Sequence, residues 1–442
     1  SMTYNERNKQ GCGMDKQQVV KDSEQYWNPA KTRDWQKWGI DLVIGKREGY
    51  FIYDMDGRKF IDMHLNGGTF NLGHRHPEVI EALNQATTQF DAGNHHFPSS
   101  QRASLAKTLV ELSAGMSYCV FATSGSEAID IAIKTVRHAT KKKKIVSVNQ
   151  AYHGHTGYSL QVGDEVNAKY FNCEPSTQDS QRVPFNDLAS LEKVLSQQDV
   201  AAVILETIPA TAGFVMPDAG YLQGVRALCD EYNVFYIADE VQTGLMRTGQ
   251  LWAVQTYGVT PDIIITGKGI GGGIYPIAAA LLSEKAGQWL NDNGFGHVST
   301  YGGSELGCVV ASKVLEITTR PETQLSVEHS SLYIREGLDR LRVRYSDFFI
   351  GIRQCGLVFG LEFNHPEGAL HIMGELYKQG VWAILSSFNP SVLQLKPGLL
   401  IDRDTCDDML YRFDLALKKV SQELKSSPQN ANQFNISNQG AD

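Results

Sequence analysis

The chain has 442 residues, of which 42% are hydrophobic and 20% are charged, and its formal net charge at pH 7 is -8. This composition is typical of a globular protein with a large core, and the length predicts two closely joined domains rather than a small binding module. The charges are spread along the chain, apart from a lysine run at 141–144 that we interpret as a solvated helix end. Nucleic-acid binding is therefore not expected.

The seven cysteines are scattered and show no paired metal-ligand spacing, which favours reduced thiols and a cytoplasmic protein. No apolar run approaches the roughly 20 residues of a membrane span, and the polar N-terminus lacks the apolar core of a signal peptide. Neither membrane insertion nor secretion is expected. Residues 1–22 and 426–442 are polar and have little to bury, so both segments are predicted to be disordered.

Residues 49–62 carry two β-rich arms around the pair Asp56-Gly57, which predicts a hairpin. Downstream, short apolar runs alternate with helix-like segments such as 125–139. This alternation predicts an α/β fold with a mostly parallel sheet covered by helices. The stretch 310–425 alternates as well and predicts a smaller α/β layer. The apolar runs of the main sheet lie at 118–122, 145–148, 201–205, 234–238 and 262–265.

Three of these runs are followed directly by residues that could take part in catalysis or ligand binding. Asp239 follows 234–238, Lys268 follows 262–265, and a turn that includes Gly125 and Ser126 follows 118–122. Parallel sheets bind ligands outside the carboxyl ends of their strands, so these residues are expected to converge. The turn opens a helix whose free N–H groups favour a phosphate, although its serines would equally cap a helix that binds nothing. A lysine between glycines after a buried strand is a candidate for Schiff-base chemistry, although most lysines are simply exposed.

Two other motifs suggest a dinucleotide site and a metal site. Residues 267–272 match the dinucleotide pattern G-x-G-x-x-G, but they lie late in the chain and no ribose-binding acid follows at the expected distance. We interpret these glycines as residues that leave open space around Lys268 because they lack side chains. The histidine-rich pieces at 74–76, 95–96 and 153–155 lack helical metal-ligand spacing and are interpreted as polar loops around a cleft.

In combination, these segments resemble the class III aminotransferases of the ornithine and 4-aminobutyrate type over residues 25–425. The strongest motif is residues 238–249, ADEVQTGLMRTG, followed after a family-like interval by 261–268, PDIIITGK. The remaining matches are LGHRHP at 72–77, TSGSEA at 123–128, YHGHT at 152–156 and STYGG at 299–303.

The resemblance implies a fold-type-I architecture that binds pyridoxal 5′-phosphate (PLP). In this arrangement 23–85 and 310–425 would form the smaller domain, and 86–309 the large PLP-binding domain. Family members have an active site at a subunit interface, so the resemblance also implies at least a homodimer. Thr300 would reach the phosphate bound by the other subunit.

The resemblance also implies roles within one chain. Lys268 would form the imine with PLP and later move a proton, while Asp239 would pair with the protonated pyridine nitrogen. Gly125 and Ser126 would hold the phosphate. Three further residues complete the expected site: Tyr152 stacked on the ring, Gln242 near the ring hydroxyl, and Glu206 behind them.

The implied reaction moves an amino group between an amine or amino acid and an oxo compound. A racemase, epimerase or aminomutase of the same fold is the alternative, because each begins with the same proton abstraction. A binding protein that has lost catalysis is disfavoured, since Lys268 and Asp239 are both present.

Three positions depart from the family pattern. Thr211 stands where many members have a glutamate, and Gln394 and His155 stand where arginines are common. The usual pairing of glutamate with 2-oxoglutarate is therefore in doubt, and neutral or cationic amino substrates are expected. Lys396, two residues beyond Gln394, could supply a substitute charge.

Overall fold

The computed structural model describes residues 14–426. The predicted disorder of residues 1–13 and 427–442 lies outside these residues. The prediction is wrong for residues 16–22, which form helix α1 (Lys16–Asp22). Lys16 Nζ lies 2.5 Å from Oδ2 of the buried Asp54, so a carboxylate elsewhere in the fold anchors a segment that is polar by composition.

The N-terminal part continues with a π-helical turn, Ser23–Trp27, and a second helix before it enters a sheet. The predicted hairpin is confirmed, because β2 and β3 pair antiparallel on either side of Gly57. Gly57 has a φ of +92°, a value that favours glycine. The elements are α2 (Pro29–Lys37), β1 (Ile44–Glu48), β2 (Phe51–Asp54) and β3 (Lys59–Asp62).

The central part alternates strands and helices as the apolar runs predict. Its elements in chain order are α3 (Pro77–Ala86), α4 (Ser100–Glu111), β4 (Tyr118–Ala122), α5 (Gly125–Thr140), β5 (Lys144–Val148), α6 (Gly157–Val162), α7 (Glu165–Tyr170), β6 (Ser180–Val183), α8 (Leu188–Leu195), β7 (Val200–Glu206), α9 (Tyr221–Glu231), β8 (Phe235–Asp239), α10 (Ala253–Thr256), β9 (Ile263–Thr266), β10 (Ala278–Leu282) and α11 (Trp289–Asp292).

Seven of these strands form one sheet in the order β4-β10-β9-β8-β7-β5-β6. Only β10 runs against its neighbours, so the predicted mostly parallel sheet is confirmed. Strands β7 and β8 are buried throughout, which is typical of parallel strands covered on both faces. Helix α5 packs Ile129, Ile133 and Val136 into the core on one side of this sheet.

The C-terminal part forms a second α/β layer. Its antiparallel sheet has the order β11-β12-β15-β14, while β13 joins the N-terminal sheet by pairing parallel with β3. This pairing supports the proposal that 23–85 and 310–425 form one smaller domain. The elements are α12 (Glu305–Thr318), α13 (Pro321–Arg344), β11 (Phe349–Cys355), β12 (Val358–Phe363), α14 (Gly368–Lys378), β13 (Val381–Trp382), β14 (Ile384–Ser386), β15 (Asn389–Leu395) and α15 (Arg403–Ser426).

A buried arginine joins the central and outer parts of the chain. Arg247 is 1% exposed and donates to the carbonyl oxygens of Leu357, at 3.3 Å, and Pro397. It also donates to Oδ1 of Asn71. Burial lowers the pKa of Arg247 to about 10. The guanidinium therefore holds three separate segments against the loop that follows β8.

Replacing Arg247 with Met should lower the free energy of unfolding by about 2–4 kcal/mol. Three buried oxygens lose a donor at a cost of about 1–3 kcal/mol each, and removal of the buried guanidinium charge offsets part of that cost. Urea unfolding of the cofactor-free protein measures this change. Arg342→Met is the matched control, because Arg342 is partly exposed and its ion-pair contact with Asp339 is long, at 3.7 Å. Equal stability of the two variants would show that Arg247 is not a structural joint.

Candidate active site

A cavity of about 480 Å³ opens where β4, β8 and β9 end. Asp239 is the last residue of β8, and Lys268 follows β9 by two residues. The turn before α5 contributes Gly125 and Ser126 to the same wall. The acid, the lysine and the turn that sequence analysis singled out therefore share one cavity. The wall also includes Tyr152, His153, His155, Glu206 and Gln242.

Lys268 begins a 3₁₀ turn, Lys268–Gly271, with a φ of +44°. This left-handed conformation is unusual for a residue with a side chain and often marks a functional position. The flanking glycines permit close packing: a Cβ on Gly267 would lie 3.2 Å from Gly125 Cα, and a Cβ on Gly269 would lie 2.7 Å from Gly68 O. The structure thus explains the glycines by crowding around Lys268.

Asp239 is held by a histidine. Its Oδ2 lies 2.7 Å from Nδ1 of His153, and its Oδ1 accepts from the backbone N–H of Val241 at 3.1 Å. Both side chains are buried. The His153 tautomer with a proton on Nδ1 is the one that can donate to a carboxylate at this distance. The interpretation of residues 153–155 as a polar loop did not include this contact, although His153 follows Tyr152 in a matched motif.

The turn at the start of α5 is organised by hydroxyl groups. The Ser124 side chain accepts from the backbone N–H of Glu127 at 3.1 Å, so Ser124 caps the helix. Ser126 Oγ lies 2.9 Å from Thr156 Oγ1 and 2.7 Å from Ser159 Oγ. The helix N-terminus and its first N–H groups favour an anion at this wall.

Three further predicted residues lie in the wall. Glu206 Oε2 accepts from the backbone N–H of Tyr152 at 3.1 Å, which fixes the segment that carries the aromatic ring. Gln242 Oε1 is buried and has no hydrogen-bond partner within the described chain. Such an atom needs a donor, and the adjacent cavity is where a ligand would supply it.

Thr300 is exposed and does not line this cavity. His74, His153 and His155 each contact one acid, namely Asp62, Asp239 and Asp164. Within residues 14–426 no group of three or more histidine, cysteine, aspartate or glutamate side chains is placed to hold a metal ion.

The three departures from the family pattern are engaged in contacts within the chain. Thr211 Oγ1 donates to Gln150 O at 2.9 Å, and Gln394 Nε2 donates to Ala210 O at 3.2 Å. His155 Nε2 lies 3.1 Å from Asp164 Oδ2. Lys396 is buried and donates to Gln394 Oε1. Of the described residues in the cavity wall, none is an arginine.

Comparison with known proteins identifies the family and the fold. The family model for class-III aminotransferases matches residues 35–417. An aminotransferase of Archaeoglobus fulgidus is 42% identical over 408 residues, 92% of this chain and 95% of that protein. The acetylornithine aminotransferase of Vibrio vulnificus is 32% identical, over 86% of this chain and 94% of its own length. The crystal structure of Toxoplasma gondii ornithine aminotransferase superposes with a TM-score of 0.85 at 25% identity and covers 96% of this chain and all of that one.

The fold and site thus define a fold-type-I enzyme that depends on PLP. The chain belongs to the class III aminotransferases, and its reaction is the transfer of an amino group between a small-molecule donor and an oxo acceptor. No helix within residues 14–426 is both long and apolar enough to cross a membrane.

Glu240 is a buried acid that sequence analysis did not single out. It follows Asp239 but faces the interior, where it accepts from Thr207 Oγ1 at 3.1 Å, from Thr243 Oγ1, and from the backbone N–H of Val254 at 2.9 Å. Burial raises the pKa of Glu240 to about 7, although these hydrogen bonds act in the opposite direction. The carboxyl group ties the loop that carries Gln242 to its surroundings.

The raised pKa of Glu240 predicts a pH-dependent stability. In the unfolded chain this group ionises near pH 4.5, whereas in the folded chain it keeps its proton up to about pH 7. Folded stability from this group is complete below pH 4.5 and is lost as pH rises through 7. The expected loss of unfolding free energy across this pH range is on the order of 2 kcal/mol. Glu240→Gln should reduce this loss, which is measured from unfolding free energies at several pH values. Identical pH dependence in Glu240→Gln and wild type would contradict the assignment.

Proposed function

We propose that Lys268 is the residue that binds PLP covalently and carries the proton in transamination, with Asp239 as the partner of the pyridine nitrogen. The observation that carries this assignment is the adjacency of β8 and β9, whose ends place both side chains in one cavity wall. The turn at Gly125 and Ser126 lies in the same wall and offers a phosphate site.

The wall has the donor and acceptor set that PLP requires. A buried carboxylate at Asp239 suits a protonated ring nitrogen, and the N-terminus of α5 suits a phosphate. The buried Gln242 Oε1 suits a hydroxyl donor. When bound, PLP would supply an aldehyde carbon that takes up the amino group and a ring that withdraws electrons from the substrate.

The side chains divide the remaining work. Lys268 Nζ removes the proton from the substrate carbon that bears the amino group and later returns a proton. His153 orients the Asp239 carboxylate through its Nδ1 proton, so that the acid does not need to reorganise when the ring is charged. Glu206 fixes the backbone of Tyr152, whose ring lies in the cavity wall and would stack on the cofactor.

We also propose that the enzyme is a homodimer in which Thr300 reaches the phosphate held by the other subunit. The exposure of Thr300 on the outside of its own cavity supports this arrangement. A cytoplasmic location is proposed as well, and the six described cysteines, all unpaired, support it.

The reaction itself is tested by a single turnover without an added oxo acceptor. A transaminase should release one oxo product per active site from its amino donor. Racemisation of the amino acid without release of an oxo product would favour the racemase, epimerase or aminomutase alternative.

Lys268→Ala should reduce steady-state turnover by more than the roughly 10²–10⁴-fold effect of losing a general base, because covalent binding of the cofactor is lost as well. The rate of purified protein at saturating PLP measures this loss. Lys285→Ala, at an exposed lysine of the same domain, should retain wild-type activity. Residual activity of more than a few per cent in Lys268→Ala would exclude the assignment.

Glutamate should be a poor amino donor, and neutral or cationic amino compounds should be preferred. The wall lacks an arginine among its described residues, and a charged hydrogen-bonded fork contributes roughly 1.5–3 kcal/mol, so a dicarboxylate loses about tenfold to a hundredfold. Single-turnover rates with a panel of donors measure the preference.

Lys396→Met is the internal control for that experiment, because Lys396 is the nearest substitute charge in the sequence. If glutamate proves the most efficient donor and Lys396→Met abolishes that efficiency, Lys396 binds the second carboxylate in place of an arginine and the prediction is wrong.

A further inference from the structure

Helix α5 holds the loop that carries Thr300. Lys134 Nζ donates to Gly296 O at 2.8 Å, and Glu127 Oε2 lies 2.9 Å from His297 Nε2. Ser299 Oγ also donates to Glu127 at 3.3 Å. The helix whose first turn forms the phosphate site of its own chain therefore also supports, through its side chains, the residues on the N-terminal side of Thr300.

Glu127 is the central contact of this support. Besides His297 and Ser299, it accepts from the backbone N–H and the hydroxyl of Thr123, at 2.7 and 3.0 Å. Partial burial acts to raise the pKa of Glu127, but the hydrogen bonds from His297, Thr123 and Ser299 outweigh it and lower the pKa to about 2. The group is thus an ionised carboxylate at any working pH and attracts its donors strongly.

The far side of the loop is fixed too, while Thr300 itself faces outward. Gly303 O accepts from Arg102 Nε at 2.9 Å, so the loop is held on both sides of Thr300. Val298 and Tyr301, which flank Thr300, are each 58% exposed. An outward threonine between two exposed apolar side chains fits a surface that a second copy of the chain covers.

We propose that the Glu127–His297 contact is a positioning device for the partner subunit: it sets Thr300 of one chain at the phosphate of the cofactor bound by the other. This inference rests on the proposed homodimer with Thr300 acting across the interface. It assigns α5 two tasks, phosphate binding for its own chain and loop support for the other.

Heterodimers of two differently tagged chains separate the two tasks. In the loop pairing, a wild-type chain is combined with a chain that carries Lys268→Ala and His297→Ala, so the only site with Lys268 receives the altered loop. In the cradle pairing, named for the phosphate site that α5 forms in its own chain, a His297→Ala chain is combined with a Lys268→Ala chain. The site with Lys268 then receives an intact loop. Wild type combined with Lys268→Ala is the reference.

Cofactor binding is measured by titrating cofactor-free heterodimers with PLP and reducing with borohydride, which fixes PLP only to a chain that keeps Lys268. We expect the loop pairing to bind PLP about tenfold more weakly than the reference, the effect of one hydrogen bond to a charged group. The cradle pairing should match the reference. Weaker binding in the cradle pairing alone, or no difference between the two pairings, would overturn the proposal.

Three companion variants keep the test independent of folding defects. Glu127→Ala in place of His297→Ala should weaken PLP binding in the loop pairing as well. His297→Gln should restore binding there, because its amide N–H can take the place of Nε2–H. Asp130→Asn is the matched control on the same helix, since Asp130 contacts Thr156 and Ser159 beside Ser126 and should act only in the cradle pairing.

Thr300→Val distinguishes failure of this inference from failure of the dimer proposal. If it weakens PLP binding in the loop pairing while the Glu127 and His297 variants do not, the shared site stands and the positioning role is wrong. If none of these variants acts in the loop pairing, the shared site and the positioning role are both wrong. The transaminase assignment has its own test in the release of oxo product.

Discussion

The parallel pairing of β8 with β9 fixes where Asp239 and Lys268 lie. Asp239 is opposite Ile265, and Glu240 donates its backbone N–H to Ile265 O at 3.0 Å, so the register is set up to the last residue of the strand. Lys268 lies three residues after Ile265 in the chain. Because successive side chains alternate between the two faces of a strand, a slip of one residue would turn Asp239 away from the cavity. The sheet therefore determines the site before any loop is considered.

The same alternation separates two neighbouring acids. Asp239 points to the cavity and is held by His153, whereas Glu240 points to the interior and is held by hydroxyl and backbone donors. Burial raises the pKa of Glu240 to about 7. One carboxyl group is thus available to a ligand while the next supports the loop that carries Gln242. Two acids of ordinary chemistry acquire different functions from the direction in which each faces.

Much of this arrangement could be predicted from the sequence, because strand ends are local features. The positions of Asp239 and Lys268 after apolar runs, and the serine turn before α5, are visible without a structure. The contact between His153 and Asp239 joins residues 86 positions apart and has no local signal. The anchoring of α1 by Asp54 is equally non-local, which is why a polar segment that composition marks as disordered forms a helix.

Thr211, Gln394 and His155 depart from the family pattern, whereas the residues proposed to hold the cofactor match it. Each side chain forms hydrogen bonds within the chain, two of them to backbone oxygens of nearby segments. Gln394 joins β15 to the loop after β7, whereas Thr211 and His155 form their contacts within the central part of the chain. The cavity wall also contains apolar side chains such as Ile208 and Ile274. The proposed preference for neutral or cationic amino substrates rests on this wall, because an unpaired charge placed there loses hydration that no arginine among its described residues restores.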